Sequence, residues 1–207
     1  MTEENKARLA VIRRALPDYE DAHRLEHTEG VYTECLWLSQ IFCLDEEDAY
    51  ALSAAALLHD ITKSLSDEEA IELCRRWNID APNDLSSVLH QYTAAAFAEE
   101  RFGTEVVNEK VRSAISCHTT GRAGMTLLDK LLFVADFTEP GRKYRSCAEM
   151  REYLHTECGK INKNDKAALT RLLDDITRKI IGFTVTYLIE KGRKIDAGMI
   201  LAWNAMV

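Results

Sequence analysis

Turn-forming residues are scarce in this chain, whose 207 residues include 3 prolines and 9 glycines. A β-sandwich needs many tight turns rich in these residues, so the composition disfavours that fold and favours helices. No stretch reaches the roughly 18 consecutive apolar residues of a membrane span. The N-terminal segment MTEENKARLAVIRRAL is charged and amphipathic rather than a signal peptide. We therefore expect no membrane partner and a cytoplasmic location.

The sequence also lacks any CxxC pair and any polybasic block. Acidic residues outnumber basic ones by 34 to 26, for a formal net charge of −8, so we expect no nucleic-acid partner. The same charge would repel a small polyphosphate unless bound cations or a local cluster of Lys and Arg residues reverse the field. In a cytoplasmic chain we expect the six cysteines to be reduced and mostly buried. They are Cys35, Cys43, Cys74, Cys117, Cys147 and Cys158.

What the sequence does contain is one helical pattern after another, without repeats or a convincing domain boundary. Apolar spacing, capping residues and breakers predict an all-α, single-domain helical bundle. We treat residues 1–18 as an N-terminal helical extension and residues 19–207 as the main domain. The segment DEEDAYALSAAALLHD turns nearly all apolar, as expected of a central core helix. Helices are predicted over residues 3–16, 20–43, 45–60, 66–77, 86–102, 104–118, 125–139, 146–158 and 164–191, with loops at 78–87 and 119–124 and a short apolar tail at 196–207.

Imidazoles and carboxylates occupy the inner faces or the ends of these helices. Counting in threes and fours from His27 gives Val31, Cys35 and Leu38, so His27 shares a core-directed face. Asp136 continues another apolar face, where a carboxylate without a partner is costly. Three more positions belong to the series, namely His59-Asp60 after a long apolar run, His90 beside Leu89, and His118 after an apolar helix face.

Each of these positions also has a simpler interpretation. His90 taken alone is more often a core histidine bonded to backbone, and Asp60 could cap a helix end. Asp136 could accept an ion pair from Lys130 or Arg142. A shared metal centre inside a helical bundle explains the whole series at once. Lys63 alone would be a surface lysine, Cys117 is expected to serve in packing, and His23 and His155 are expected to face solvent.

The order of these residues resembles that of a known family. The series His27, His59-Asp60 and Asp136 resembles the HD-domain metal-dependent phosphohydrolases. Longer motifs resemble its bacterial YqeK branch, the symmetrical bis(5′-nucleosyl)-tetraphosphate hydrolases, from about residue 20 to the C-terminus. They are RLEHTEGV, LLHDITK, LHQYTAAAFA, AISCHTTGRAGMTLLDK, FVADFTEPGRKY and the terminal AWN. The tail departs from the pattern, because MILAWN keeps Asn204 but lacks a basic residue before it, which leaves the role of Asn204 open.

The resemblance implies an HD-type bundle that holds two divalent metal ions. Asp60 would bridge the two ions. Iron is the leading metal by this resemblance, and manganese, zinc or nickel also suit mixed nitrogen and oxygen ligands. The first ion would be held by His27, His59, Asp60 and Asp136, and the second would be completed by His90 and His118.

Two such ions would lower the pKa of a bridging water and neutralise phosphate charge, which allows phosphoanhydride hydrolysis without a covalent intermediate. Besides Asp60, the residues expected in catalysis are Lys63 and Arg142. Both cations are placed to bind phosphate oxygens, and the planar fork of Arg142 can do so at two points. Further phosphate or ribose contacts are expected from the loop TTGRAG, through Thr119, Gly121 and Arg122.

The implied reaction is cleavage of diadenosine tetraphosphate at its central bridge into two ADP molecules. A second hypothesis is hydrolysis of nucleoside di- or triphosphates, or of guanosine alarmones, by the same centre. A third is a nucleotide-sensing or interaction module with a structural metal, suggested by the cysteine-rich helical body and the apolar tail. The partner is therefore a small dinucleoside polyphosphate or nucleotide. A homodimer stays open, because Ile200, Leu201 and Trp203 could pack across a dimer, although internal packing is favoured.

Overall fold

A computed structural model describes residues 1–82 and 84–207, and within these ranges the chain is all α-helix with no strand. The predicted loop over 78–87 includes Asn83, which lies outside the described residues. Two 3₁₀ turns, Leu16–Asp18 and Ser86–Val88, link α-helices. The α-helices are α1 (Glu3–Ala15), α2 (Ala22–Ile41), α3 (Glu46–Leu58), α4 (Asp67–Arg76), α5 (Leu89–Phe102), α6 (Glu109–Ile115), α7 (Leu127–Thr138), α8 (Arg145–Lys160), α9 (Lys166–Glu190) and α10 (Ala197–Asn204).

Short polar side chains define where most of these helices begin. Asp21 and Asp45 each accept a hydrogen bond from a backbone N–H three residues later, which satisfies a group that the first helical turn leaves free. Ser66 and Thr126 form complete capping boxes at the starts of α4 and α7. At the other end of α5, Gly103 has a φ of 84°, a conformation that favours glycine at helix ends. The helix boundaries follow from local sequence.

Helix α3 is the centre of the bundle, as its apolar sequence predicts. Every residue from Tyr50 to Leu58 is buried, and the helix packs against α1, α2, α6 and α7. Three consecutive alanines, Ala54 to Ala56, have no exposed surface. Such small side chains let the neighbouring helices approach α3 closely. Polar residues of these helices meet where α3 ends.

Several helices are shorter than predicted, and in two of them, α3 and α6, the difference affects the position of a predicted ligand. The helix predicted over 45–60 ends at Leu58, so His59 and Asp60 lie in the turn that follows. The helix predicted over 104–118 was wrong at both ends, because Asn108 caps a helix that starts only at Glu109. After Ile115 the chain tightens, with the N–H of His118 bonded to the Ile115 carbonyl three residues back. His118 is therefore presented by a turn.

The cysteines and the C-terminal tail largely match expectation. All six cysteines are free, and all but Cys43 are buried. In α10, Met199 and Ala202 are buried, and Trp203 packs so closely on Gly182 that a Cβ there would lie 2.8 Å from the indole. Ile200 and Leu201 are exposed, so internal packing covers only part of the tail. Among the described residues, no helix combines the length and apolar character needed to cross a bilayer.

Candidate metal centre

The predicted histidines and aspartates meet at the end of α3. His27 comes from α2, and its Nε2 lies 3.3 Å from Nε2 of His59 and 3.1 Å from Oδ1 of Asp136 on α7. Oδ2 of Asp60 lies 3.6 Å from His59 Nε2 and 3.8 Å from His27 Nε2. Three segments that are far apart in sequence thus direct two imidazoles and two carboxylates at one point.

The other oxygen of Asp60 faces a second group. Its Oδ1 lies 3.2 Å from Nε2 of His90 on α5 and 3.5 Å from Nε2 of His118, and those two nitrogens are 3.2 Å apart. Ligating atoms of His27, His59 and Asp60, and those of Asp60, His90 and His118, fall within 4.8 Å of one another. Asp60 belongs to both groups, one oxygen to each.

The rings of His59 and His118 are held in a defined orientation. Nδ1 of His59 lies 2.7 Å from the carbonyl oxygen of Ala56, and Nδ1 of His118 lies 2.7 Å from that of Ile115. A carbonyl can only accept, so each Nδ1 carries the proton and each Nε2 presents a lone pair to the centre. Metal-binding histidines are commonly fixed by such a bond on the other ring nitrogen. The donor set therefore fits divalent metal ions.

The charge states in the centre favour cation binding. Burial lowers the pKa of His59 to about 4 and that of His90 well below its usual value, so both rings are neutral ligands. Burial opposes ionisation of Asp136, but the adjacent Arg142 guanidinium holds its pKa well below the usual range. Burial also opposes protonation of His27, yet hydrogen bonds to Asp136 and Glu139 raise its pKa to about 9. A cation at His27 would displace that proton.

Three cationic side chains border the centre. Lys63 is half-buried, with Nζ 2.9 Å from Nδ1 of His90 and 3.2 Å from the Ser87 carbonyl oxygen. Arg142 donates to Asp136, which matches the ion pair considered for that carboxylate. Lys130 pairs instead with Asp174. The third cation, Arg24, was not identified from the sequence.

Arg24 donates to Oδ2 of Asp60 at 2.6 Å. It precedes His27 by three residues on the same helix, so the spacing in RLEH could have identified it. Gln91 was missed as well. Its side-chain oxygen accepts from the N–H groups of Thr119 and Thr120, which fixes the turn after His118.

Glu139 is a third residue that sequence reasoning missed. Its carboxylate is buried, with Oε1 3.2 Å from Nδ1 of His27 and Oε2 accepting from the N–H of Gly141. The helix α2 leaves room for it at Gly30, where an added Cβ would clash with Glu139 Oε2. Glu139 thereby orients the His27 ring, in the way that carboxylates behind metal-binding histidines do.

We expect Gly30→Ala to weaken metal binding by about 10–100-fold, because the added methyl group drives Glu139 away from His27. The unfolding free energy should fall by about 1 kcal/mol, since overpacking of about 1–3 kcal/mol outweighs the roughly 1 kcal/mol helix preference of alanine. Metal titration and urea unfolding measure the two effects. Gly159→Ala in α8 is the control, because a Cβ there meets nothing within 4 Å, and it should keep metal affinity. Equal affinity in both variants would contradict the orienting role of Glu139.

The predicted substrate contacts divide into two sets. Thr119 reaches the centre, with Oγ1 2.9 Å from His90 Nε2 and 3.0 Å from His118 Nε2. Arg122 does not reach it, because its guanidinium binds Asp129 and Ser113. Asp129 lies seven residues before Asp136, about 10 Å away along α7.

Gly121 and Asn204 also lie apart from the ligand side chains. Gly121 has a φ of 67° and packs on Ala202, Met125 and Ile181. Asn204 is exposed at the last residue of α10.

The two remaining histidines lie outside the centre, as predicted. His23 is exposed at the start of α2. His155 is exposed too, but it is more than a solvated residue. Its Nε2 lies 2.9 Å from Oε1 of buried Glu34, and its ring stacks on Trp37 at a centroid distance of 3.9 Å. This contact ties α8 to α2.

Glu20 is a buried carboxylate close to the centre. Its Oε2 accepts from Thr28 Oγ1 at 2.9 Å, whereas Oε1 has no hydrogen-bond partner among the described residues. Burial raises the pKa of Glu20 from 4.5 to about 7. Between these values the folded protein keeps a proton that the unfolded chain has lost, so stability falls as pH rises.

We expect the unfolding free energy to drop by about 2–3 kcal/mol between pH 4.5 and 7 through Glu20 alone. Glu20→Gln should remove this part of the pH dependence and be the more stable protein at pH 8. Urea unfolding of both proteins at pH 5 and pH 8 measures it. Glu152→Gln changes an exposed carboxylate and should show the same pH dependence of the unfolding free energy as the wild type. The same result for Glu20→Gln would contradict the raised pKa of Glu20.

An open cavity of about 550 Å³ leads to the first group, that of His27, His59 and Asp60. It lies between the start of α2 and the loop from α7 to α8. The residues lining it are His23, Arg24, Glu26, His27, Glu139, Gly141, Arg142, Lys143 and Tyr144. Because His27 lines this cavity, the group around His27 is reachable from outside.

Comparisons with known proteins agree with this geometry. The HD domain family matches residues 24–141, more than half of the chain, and the chain belongs to this family. The resemblance to HD-domain proteins is thereby confirmed. A protein of Halalkalibacterium halodurans named symmetrical bis(5′-nucleosyl)-tetraphosphatase is 28% identical, over 89% of each chain. A Bacillus subtilis protein of the same name is 27% identical, over 96% of this chain and 95% of the relative.

A solved structure supports the fold. It is the crystal structure of a protein from Clostridium acetobutylicum described as a predicted HD superfamily hydrolase involved in NAD metabolism. It matches with a TM-score of 0.79 and 28% identity, over 95% of both chains. The all-α, HD-type fold expected from the sequence is therefore confirmed.

Proposed function

We propose that this protein hydrolyses diadenosine tetraphosphate symmetrically, giving two ADP molecules. The observation that carries the proposal is the double use of Asp60, with one oxygen facing His27 and His59 and the other facing His90 and His118. This arrangement offers two adjacent ion positions that share a carboxylate. Support also comes from the names of the relatives that match along most of the chain.

The ligand roles that we propose follow the two groups. Two divalent ions bound there would lower the pKa of a water between them and offset the charge of the attacked phosphate. Iron is the leading metal, with manganese, zinc and nickel as alternatives for nitrogen and oxygen ligands. We assign the first position to His27, His59, Asp60 and Asp136, and the second to Asp60, His90 and His118.

The cationic residues at the border act on the substrate. Lys63 and Arg142 would hold oxygens of the attacked phosphate and of its leaving group, the charges that grow during cleavage of a phosphoanhydride. Thr119, whose hydroxyl lies between His90 and His118, would donate to a phosphate oxygen. The imidazoles of His59 and His118 would bind the ions without reorientation, since their Nδ1 atoms are already bonded to backbone carbonyls.

The open cavity favours an enzyme over a module with a structural metal. Structural sites are closed by protein ligands, whereas catalytic sites keep a position for water and substrate. His27→Ala and Asp60→Ala separate the two functions. In an enzyme these variants lose activity while the helical fold survives, and in a structural site they lose the fold.

The product assay tests the proposal directly. Purified protein of measured metal content is incubated with diadenosine tetraphosphate, and the nucleotides are separated by chromatography. ADP as the sole product is the expected result, and ATP plus AMP would exclude symmetrical cleavage. Rates on nucleoside di- and triphosphates and on guanosine alarmones, measured beside it, would reveal a different preferred substrate.

A further inference from the structure

Tyr144 stands at the mouth of the cavity that reaches His27. It directly precedes α8, and 74% of it is exposed. Other aromatic side chains of the bundle have partners, such as Tyr19 against Phe97 and Phe137 against Phe183. Single exposed aromatics are common on protein surfaces, so exposure alone assigns no role to Tyr144. However, Tyr144 lies two residues after Arg142, which we propose as a phosphate-binding residue. This position indicates a role in substrate binding.

Positive charge gathers along the same cavity. Arg24 and Arg142 lie at its inner end, against Asp60 and Asp136. Lys143 lies further out and makes no ion pair with any residue that the structure describes. Two carboxylates, Glu26 and Glu139, line the cavity as well, so its lining has a small excess of cations on a chain whose formal charge is −8.

The order of these groups matches the order of groups in a nucleotide. Arg24 and Arg142 pair with carboxylates of the centre, whereas Lys143 and Tyr144, the next two residues after Arg142, are exposed. Phosphates bind cations, and nucleobases stack on exposed aromatic rings. The loop therefore presents a phosphate track that ends in a stacking surface.

We propose that this nucleotide groove, formed by Arg24, Arg142, Lys143 and Tyr144, binds one nucleoside half of the substrate. The base stacks on Tyr144, and the attached phosphates run along the three cations toward His27. This inference rests on the proposed function, since it places that substrate in the site. Stacking accepts any base, so the groove selects for a nucleotide without selecting adenine over guanine.

Two variants of Tyr144 test the groove. Tyr144→Ala should raise KM for diadenosine tetraphosphate about tenfold with kcat nearly unchanged, because stacking holds the base and does not touch the reacting atoms. The diguanosine analogue should show the same loss, and hydrolysis of inorganic tripolyphosphate should not change. Tyr187→Ala removes an exposed tyrosine on α9 and should behave as the wild type. An unchanged KM in Tyr144→Ala would overturn the inference.

A binding measurement separates the groove from the reaction. In Tyr144→Trp, ADP should quench the added indole fluorescence beyond the change seen in the wild type, and inorganic diphosphate should not. Equal quenching by both probes would overturn base stacking. If the wild type left diadenosine tetraphosphate intact, the proposed function would fail, yet the difference between ADP and diphosphate would still decide whether the groove binds a base.

Discussion

Replacing Asp60 by asparagine is expected to remove both metal ions and to lower turnover of diadenosine tetraphosphate by at least about 10³-fold. Residues that only orient a metal ligand already cost about 10–100-fold when changed, and Asp60 is proposed as a direct ligand of both ions. The amide keeps the size of the side chain but loses its charge, and its nitrogen cannot coordinate as a carboxylate oxygen does. The measurements are metal content per protein by elemental analysis and ADP formation.

A second buried carboxylate supplies the matched control. Glu34 is 2% exposed and bonds to Thr138 and His155, away from the proposed ligands. Glu34→Gln should lose stability but keep two metal ions and most of the activity. Retention of both ions and of activity in Asp60→Asn would refute the bridging role, provided that thermal unfolding shows both variants folded.

His59→Ala and His118→Ala are expected to remove different ions, each lowering activity by at least about 10²-fold. Each ring supplies a ligand nitrogen to only one of the two groups. His59 Nε2 faces Oδ2 of Asp60, and His118 Nε2 faces Oδ1. Loss of a direct ligand should exceed the roughly 10–100-fold effect of an orienting residue. Each variant should retain about one ion per chain, and the double variant about none.

Spectroscopy distinguishes the two half-filled proteins. If the bound metal is iron, the remaining ion in each single variant should have a different spectrum, because one site keeps Asp136 and the other lacks it. His155→Ala is the control, since this ring contacts Glu34 and Trp37 outside the centre. Two ions in either single variant, or identical spectra, would contradict the division into two positions.

Much of the fold follows from local sequence. Capping residues such as Ser66 and Thr126 mark helix starts, and the run from Tyr50 to Leu58 identifies the core helix. The position of His27 on an apolar face indicated its inward direction. The C-terminal ends of α3 and α6 were not predicted correctly. The turns that follow these helices depend on backbone hydrogen bonds over three residues, which the apolar spacing of a helix does not reveal.

The residues behind the ligands could not be predicted as readily. Glu139 contacts His27 across 112 residues of sequence, and nothing in its own neighbourhood indicates that contact. Arg122, a basic residue of a glycine-containing loop that was expected to contact phosphate, binds Asp129 in the structure. A contact between distant segments decides the first case, and a pairing over only seven residues decides the second. Local spacing therefore indicates which side chains turn inward, and the packed bundle decides what they meet.

The wide sequence separation of the side chains around Asp60 also bears on how the protein is made. His27 lies near the start of the chain, and Asp136 is added 109 residues later, so a ribosome must finish α7 before the first group can exist. Until then the nascent chain lacks the Asp136 carboxylate that faces His27. An ion held by both His27 and Asp136 could therefore bind only late in biosynthesis, after α7 has been made and has packed against α2.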